Sequence, residues 1–313
     1  MLSIFQNPDQ FPFEKNSVVT LGSFDGIHFG HQLIIKSIIE DARKINGKSV
    51  LITFNPHPQE IIQRTGSEFS LLTTLSEKIE ILQSFELDKV LVIPFTREFS
   101  ELSAATFIEQ TLLKKVGLKK ITIGYDHMFG HNRTGSFSVL HQYGEKYDFE
   151  VEVVQAQQLN GIVVSSSKIR KALSDGDVKF AGELLGREYS VTGLVRRGDG
   201  IGHKIGFPTA NTHIDHPAKM LPKDGVYAVK VKIGTDSYFG MCNLGYRPTF
   251  SGTEHRNEVN IFDFEKDIYG SLITVQFIDR IRNEKKFNSV NDLIDQLKHD
   301  RQQSLDLIGK SEL

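Results

Sequence analysis

Two histidines three residues apart, His28 and His31, sit in the stretch Gly22-Ser23-Phe24-Asp25-Gly26-Ile27-His28-Phe29-Gly30-His31, and the chemistry they suit is phosphate chemistry. The stretch follows the apolar run Val18-Val19-Thr20-Leu21 and opens an amphipathic segment, 33–45, with apolar residues at 34, 35, 38, 39 and 42. A helix start offers free backbone N–H groups and the positive end of the helix dipole, so it receives anions. Glycines at 22, 26 and 30 let the backbone approach a polyphosphate without a Cβ in the way. Imidazoles one turn apart can donate hydrogen bonds to phosphoryl oxygens as charge moves to a leaving group. Two unrelated surface histidines would read alike in H-x-G-H alone; the strand before and the helix after favour the phosphate reading. Asp25 reads equally as a turn residue before Gly26 and as a catalytic group.

Two further stretches have the same flavour. Ser165, Ser166 and Ser167 precede Lys168 and Arg170 at the start of a second helical segment, which makes a candidate second phosphate cradle. Alone, a serine run is a good helix cap and nothing more; beside the histidine motif it completes what a nucleotidyl transfer needs. The stretch from Arg196 to Asn211 carries glycines at 198, 200, 202 and 206 and ends Gly206-Phe207-Pro208-Thr209-Ala210-Asn211. It is not a dinucleotide loop, because Pro208 and the polar residues after it leave no room for the required amphipathic helix. No G-x-x-x-x-G-K-[ST] occurs anywhere, so a P-loop is excluded.

The elements that must position these residues fall into two textures. Up to about Val164, short β-branched runs (Val18–Leu21, Ser49–Phe54, Lys89–Ile93, Lys120–Ile123) alternate with helical segments at 33–45, 76–85 and 104–116. That alternation predicts a parallel sheet with helices on both faces and ligands beyond the carboxyl ends of the strands. Two short helices are expected at Ser166–Leu173 and Asp177–Leu185, with Gly186 ending the second as a left-handed residue. Beyond it, Tyr189–Val195, Gly225–Ile233, Ser237–Leu244, Glu258–Phe264 and Ile273–Ile281 read as successive strands, and Ser289–His299 as a closing helix capped by Ser289-x-x-Asp292. The reading is an α/β chain: a doubly wound parallel-sheet domain over 1–186, then a small antiparallel β-barrel, with a sandwich as the alternative, over 187–313.

Composition narrows the class. The 313 residues are 39% hydrophobic and 24% charged, which excludes disordered and low-complexity architectures. With 37 basic and 39 acidic residues the net charge is -2, so nothing argues for nucleic acid, and Lys114-Lys115 with Lys119-Lys120 reads as a solvated helix end. One cysteine, Cys242, excludes an internal disulfide and reads as a core residue. No run approaches 18 apolar residues and the N-terminus lacks a secretory pattern, so a cytoplasmic protein without a membrane partner is expected, its oligomeric state left open.

Four motifs in order, G-x-F-D-G-x-H-x-G-H, Asn55-Pro56-His57-Pro58, Gly124 to Arg133 and S-S-S-K-I-R, resemble the adenylyltransferase half of the prokaryotic bifunctional FAD synthetases, also called riboflavin kinase/FMN adenylyltransferases. The resemblance runs through the whole chain, since G-F-P-T-A-N resembles the riboflavin kinase motif. It implies that His28 and His31 contact the ATP phosphates, with Gly22, Phe24, Gly30, Ser165, Ser166, Ser167 and Arg170 around the nucleotide. Asn55, His57, Asp126 and Arg133 would lie toward the flavin. In the second half it implies that Thr209 and Asn211 hold Mg²⁺ and the ATP phosphates under a loop containing Gly200 and Gly202, with Glu258 as catalytic base. Periodicity alone would make Glu258 a solvent-facing strand residue. The chain departs from the family pattern at Ile201 and His203, where arginines are usual, and at His127, where phenylalanine is common. The function implied is FAD biosynthesis from riboflavin and ATP through FMN. The alternatives are an adenylyltransferase with a silent kinase half and a nucleotide- or RNA-binding protein.

Overall fold

The structure, a computed structural model, describes every residue except 63–68, 126, 199, 250–251 and 312–313; residues 133, 201, 247–249, 252–255 and 310–311 are described by their backbone alone. The chain divides into two compact units, Met1–Ser165 and Ser166–Leu313.

In the first unit, β1 (Ser3–Phe5), β2 (Ser17–Leu21), β3 (Lys48–Asn55), β4 (Lys89–Pro94), β5 (Leu118–Gly124) and β6 (Glu150–Val154) form one sheet in the order β1-β4-β3-β2-β5-β6. Every pair in it is parallel. The helical segments are α1 (Phe29–Lys44), α2 (Pro58–Ile62), α3 (Leu75–Gln83), α4 (Arg97–Ser100), α5 (Ala104–Thr106) and α6 (Phe137–Tyr147). Alternate strand residues point to opposite faces, and both faces are covered. Val19, Ile52, Leu91 and Ile121 pack with Phe107, Ile108 and Leu140 on one side, while Val18, Leu51 and Val90 pack with Ile35, Ile38 and Leu82 on the other. Burial on both faces explains why the central strands are unbroken apolar runs. β6 escapes that pattern because it is an edge strand, alternating Glu150, Glu152 with Val151, Val153. The expected helix at 104–116 exists but winds wide, as a π-helical stretch over Phe107–Val116. The helix at 137–147 contains Gly144, normally a breaker; a Cβ there would lie 2.6 Å from the carbonyl of Phe149. Since β2 pairs β3 on one side and β5 on the other, the strand order reverses at β2, and the carboxyl end of β2 is the switch point where such sheets bind ligands. A small hairpin, β7 (Gln158–Leu159) and β8 (Ile162–Val163), follows.

The second unit begins with α7 (Ser166–Asp175) and α8 (Val178–Leu185), which Gly186 ends at φ 69° as expected. Six strands then close into an antiparallel barrel rather than a sandwich: β9 (Tyr189–Arg196), β10 (Ala210–His213), β11 (Gly225–Ile233), β12 (Asp236–Thr249), β13 (Gly252–Ile261) and β14 (Leu272–Arg282), in the order β10-β13-β12-β11-β14-β9. β9 pairs back to β10 and leaves no open edge. The register row Tyr227, Cys242, Val259 is fully buried inside. Cys242 is thus the core residue expected; its Sγ donates to Asn257 Oδ1 at 2.9 Å, and burial, then the charge of Glu258, pushes its thiol pKa up. A short helix, α9 (Ile201–Lys204), lies in the glycine loop, and α10 (Val290–Ser311) extends well past the expected His299. α10 packs on the outer face of the barrel, where Leu297 and Ile308 meet Val226 and Met241. It is also tied there by Asp300, whose buried carboxylate accepts from Arg282 Nε at 2.9 Å and Nη2 at 2.7 Å. Removing one partner of a buried pair like this costs about 3–5 kcal/mol, because the other charge is stranded.

Candidate active sites

In the first unit, the loop leaving β2 enters α1 through an unusual cap. His28 is the N-cap residue, and its Nδ1 accepts the backbone N–H of His31 at 3.4 Å, a place usually taken by Ser, Thr, Asp or Asn. While Nδ1 serves as an acceptor, the ring proton of His28 is carried on Nε2. The two imidazoles stack at 3.6 Å between centroids, and Phe24 meets His31 edge-on at 5.0 Å. Burial first, then the neighbouring charges of His28 and Lys78, holds His31 well below the ordinary histidine pKa, so it is a neutral ring at pH 7. The Nδ1 of His31 is buried without a hydrogen-bond partner among the described residues.

The glycines also serve the protein's own packing. A Cβ on Gly22 would lie 3.3 Å from the Phe24 ring and one on Gly30 3.3 Å from the His28 ring, so both make room for protein rings. Gly26 takes φ 84°, and two neighbours without glycine's freedom, Phe24 (φ 46°) and Ile27 (φ 40°), are also left-handed. A β-branched residue there is a strained conformation that only its surroundings can hold. Asp25 supplies part of the hold: its buried carboxylate accepts Leu72 N–H and Thr73 N–H, both at 3.0 Å. Thr73 Oγ1 in turn accepts from Gly26 N–H at 3.0 Å.

Sequence reasoning missed Lys78. It is buried on α3, donating to the Ser23 carbonyl at 2.6 Å and to Thr53 Oγ1 at 3.2 Å. A signal was available: Lys78 lies three residues after Leu75 and four before Leu82, on the apolar stripe of its helix. Asn55 ends β3, next to β2; His57 follows, stacked on Phe69 at 4.5 Å with its N–H donating to Glu60 Oε1 at 2.8 Å. Asp126 lies outside the described residues, and Arg133 is described only as backbone in a short turn, His131–Arg133. Ser165 ends the first unit, whereas Ser166, Ser167 and Arg170 belong to the first turns of α7 in the second. The geometry therefore gathers Gly22, Phe24, His28, Gly30 and His31 at the switch point.

The second site is a cavity of about 330 Å³ on the outer face of the barrel, and it brings together Gly200, Gly202, Thr209, Asn211 and Glu258. Strand register accounts for the gathering. Asn211 on β10 lies opposite Glu258 on β13, which lies opposite Asn243 on β12, so one row presents three polar side chains on one face. Glu258 is a wall of the cavity rather than a solvent-facing residue, and Arg256 Nη1 stands 3.5 Å from its Oε1. The expected strand start at Glu258 is corrected: β13 begins at Gly252, and the polar alternation of 252–258 hid it. Sequence reasoning also missed Asn243, Arg256, Asn260, Glu284 and Phe287, which line the same cavity with Leu293 and Leu297 of α10. Asn260 Nδ2 donates to the Pro208 carbonyl at 2.7 Å, which fixes the amide and leaves its buried Oδ1 without a donor among the described residues.

Thr209 and Asn211 offer a hydroxyl and an amide oxygen, hard donors of the kind that suit a divalent cation retaining several waters. The loop is built around them: a Cβ on Gly198 would fall 2.3 Å from Asn211 Nδ2, and one on Gly202 3.4 Å from Thr209 Oγ1. The residues present therefore fit such an ion. Among the described residues no helix is long and apolar enough to cross a membrane.

Comparison with known proteins agrees with both halves. A family model described as FAD synthetase matches residues 10–168, and one described as riboflavin kinase matches 185–308. Proteins named bifunctional riboflavin kinase/FMN adenylyltransferase are similar over nearly the full length. That of Buchnera aphidicola is 40% identical, covering 91% of this chain and 92% of its own, and that of Escherichia coli 36% identical, covering 97% and 96%. A solved structure from Streptococcus pneumoniae, named a macrolide-efflux protein, aligns with a TM-score of 0.87 at 36% identity, covering 97% of this chain and 98% of that one. Two family matches in sequence order, relatives matched almost end to end, and a polar site in each unit lead to one conclusion: this chain belongs to the bifunctional riboflavin kinase/FMN adenylyltransferase family.

Proposed function

We propose that the chain makes FAD in two ATP-dependent steps, phosphorylating riboflavin to FMN in the barrel and adenylylating FMN at the switch point of the sheet. The observation that carries this reading is the register row Asn211, Glu258, Asn243 facing the glycine loop across one cavity, in a chain that also stacks two histidines at a helix start.

In the first step the ribityl 5′-hydroxyl of riboflavin attacks the γ-phosphorus of ATP. The new bond is O–Pγ, the broken one joins Pγ to the bridging oxygen, and the hydroxyl proton must leave. Glu258 is assigned that proton, in the role of general base. Arg256 orients its carboxylate, and Thr209 and Asn211 hold the ATP phosphates. Mg²⁺ bound by Thr209 and Asn211 would draw charge from those phosphates. In the second step the FMN phosphate attacks the α-phosphorus of ATP and expels pyrophosphate. Its oxygen is already anionic at pH 7, so no base is required, and positioning with charge stabilisation suffices. His28, donating from Nε2, and His31 would serve the phosphates. Gly22, Phe24 and Gly30 shape that site; Ser165, Ser166, Ser167 and Arg170 are assigned to the triphosphate, and Asn55, His57, Asp126 and Arg133 to the flavin side. We assign adenylylation to 1–186 and phosphorylation to 187–313, which places α7 and α8, most of whose residues fall between the two family matches, with the adenylylating half. ATP and flavins as substrates support a cytoplasmic site of action and no nucleic-acid partner.

The test is chromatography of flavin products after incubation with ATP and Mg²⁺, with riboflavin in one tube and FMN in another. FMN followed by FAD from riboflavin supports both halves. FAD from FMN with riboflavin untouched would leave an adenylyltransferase with a silent kinase, and no product in either tube would overturn the reading.

A further inference from the structure

The Gly22–Ile27 loop is held in a strained form by a segment far away in sequence. Phe24, Gly26 and Ile27 all sit at positive φ, and two of them are not glycine. The restraint comes from residues 72–78. Leu72 and Thr73 donate to Asp25, and Thr73 Oγ1 accepts from Gly26 N–H. Lys78 then reaches the next residue back, with its ammonium on the Ser23 carbonyl at 2.6 Å and on Thr53 Oγ1 at 3.2 Å, bridging the carboxyl ends of β2 and β3. Ser23 has a second donor in Thr53 Oγ1, at 3.2 Å. The carbonyl would therefore stay satisfied without the lysine, and a methionine would fill the same volume with no buried charge. A buried ammonium in such a place is expensive unless its charge is used.

Resting on the adenylyl-transfer reading of this site, we propose that Lys78 is a positioning residue for that reaction: bonded to the Ser23 carbonyl and the Thr53 hydroxyl, it pins, with Asp25, the strained loop on which His28 and His31 are mounted. Its charge also adds, after burial and His28, to the lowering of the His31 pKa. The charged and titratable groups acting on this pair are Asp25 from the loop after β2, Glu60 from α2, and His28 from the start of α1. Burial pushes the Lys78 ammonium down to about 8, with Asp25 and Glu60 opposing that fall. It therefore remains mostly charged at pH 7 and loses its proton just above.

The experiment uses the full-length chain and K78M. Turnover of FMN with ATP and Mg²⁺ should fall at least tenfold in K78M near pH 7, while riboflavin phosphorylation by the same preparation stays unchanged. In histidine-ring NMR, with the His31 signal identified by its loss in H31Q, the titration of His31 should move upward in K78M. The unfolding temperature of K78M should equal or exceed that of the unsubstituted chain, because a buried charge has gone. Without any substitution, raising the pH through about 8 should lower FAD formation, and K78M should lack that limb. An unmoved His31 titration, undiminished FAD formation, or a lower unfolding temperature with both activities lost would each overturn the proposal, the last by making Lys78 merely structural. If the unsubstituted chain makes no FAD from FMN, the adenylyl-transfer reading falls, and the His31 shift in K78M still decides the coupling.

Discussion

The two candidate sites are built from opposite resources. The centre of the switch-point site is local in sequence: its histidines, glycines and Phe24 fall within Gly22–His31, and Asp25 and the Ser23 carbonyl tie that stretch to a segment about fifty residues away. The barrel site is non-local, assembled from a row that crosses β10, β13 and β12 and closed by α10. Under the proposed function, the difference follows from the nucleophiles. A phosphate already carrying its charge needs placement by a helix start and neutral donors, which one loop can supply. A neutral hydroxyl needs a carboxylate opposite a phosphate-binding pair, and only a sheet register sets those on one face at a fixed spacing.

The sharpest way to break this comparison is Glu258→Gln. It should cut riboflavin phosphorylation by roughly 10²–10⁴, and the rate of FAD formation from supplied FMN should not change; unchanged kinase turnover would remove Glu258 from the mechanism. His31→Ala is the reciprocal probe, expected to cost about 10²–10³ in FAD formation, by analogy with losing one preorganised donor. Equal loss of both activities there would sink the assignment of one step to each unit. Gly198→Ala should be milder and confined to the barrel. Its Cβ would press on Asn211 Nδ2, and displacing that side chain by a clash worth about 1–3 kcal/mol should raise the KM for ATP in the kinase step at least several-fold. The smallest effect should come from Ile201→Arg with His203→Arg. Restoring two cations to the glycine loop should lower that same KM a few-fold and make it more sensitive to salt, and a KM that ignores ionic strength would show the departures to be neutral.

Much of the fold was legible because burial writes itself into sequence. The central strands β2 to β5 stand out as apolar runs, and Gly186 marks a helix end because it takes the left-handed conformation at less cost than other residues. What escaped were elements that do not follow the rule: edge strand β6 with its alternating glutamates, α6 with Gly144 in its middle, and the four-residue β10. In the sites, His28 and His31 were legible as a pair. The use of His28 Nδ1 as a helix cap was not, because a histidine rarely fills that place. Gly22 and Gly30 were read as space for a ligand; that they also make space for the rings of Phe24 and His28 was not legible.

The sequence by itself determined the two textures, the order of the motifs and the residue types available for chemistry, since periodicity and glycine placement are local properties of a chain. Only the tertiary structure decided who faces whom. That Glu258 looks into a cavity rather than water depends on β13 lying between β10 and β12 and on α10 being anchored over them through Asp300 and Arg282. That a lysine in the middle of α3 ends beneath a helix start on another element depends on the parallel order of β2 and β3. Long-range register and the burial of charge are set by packing across the whole unit, and no short window of sequence carries them.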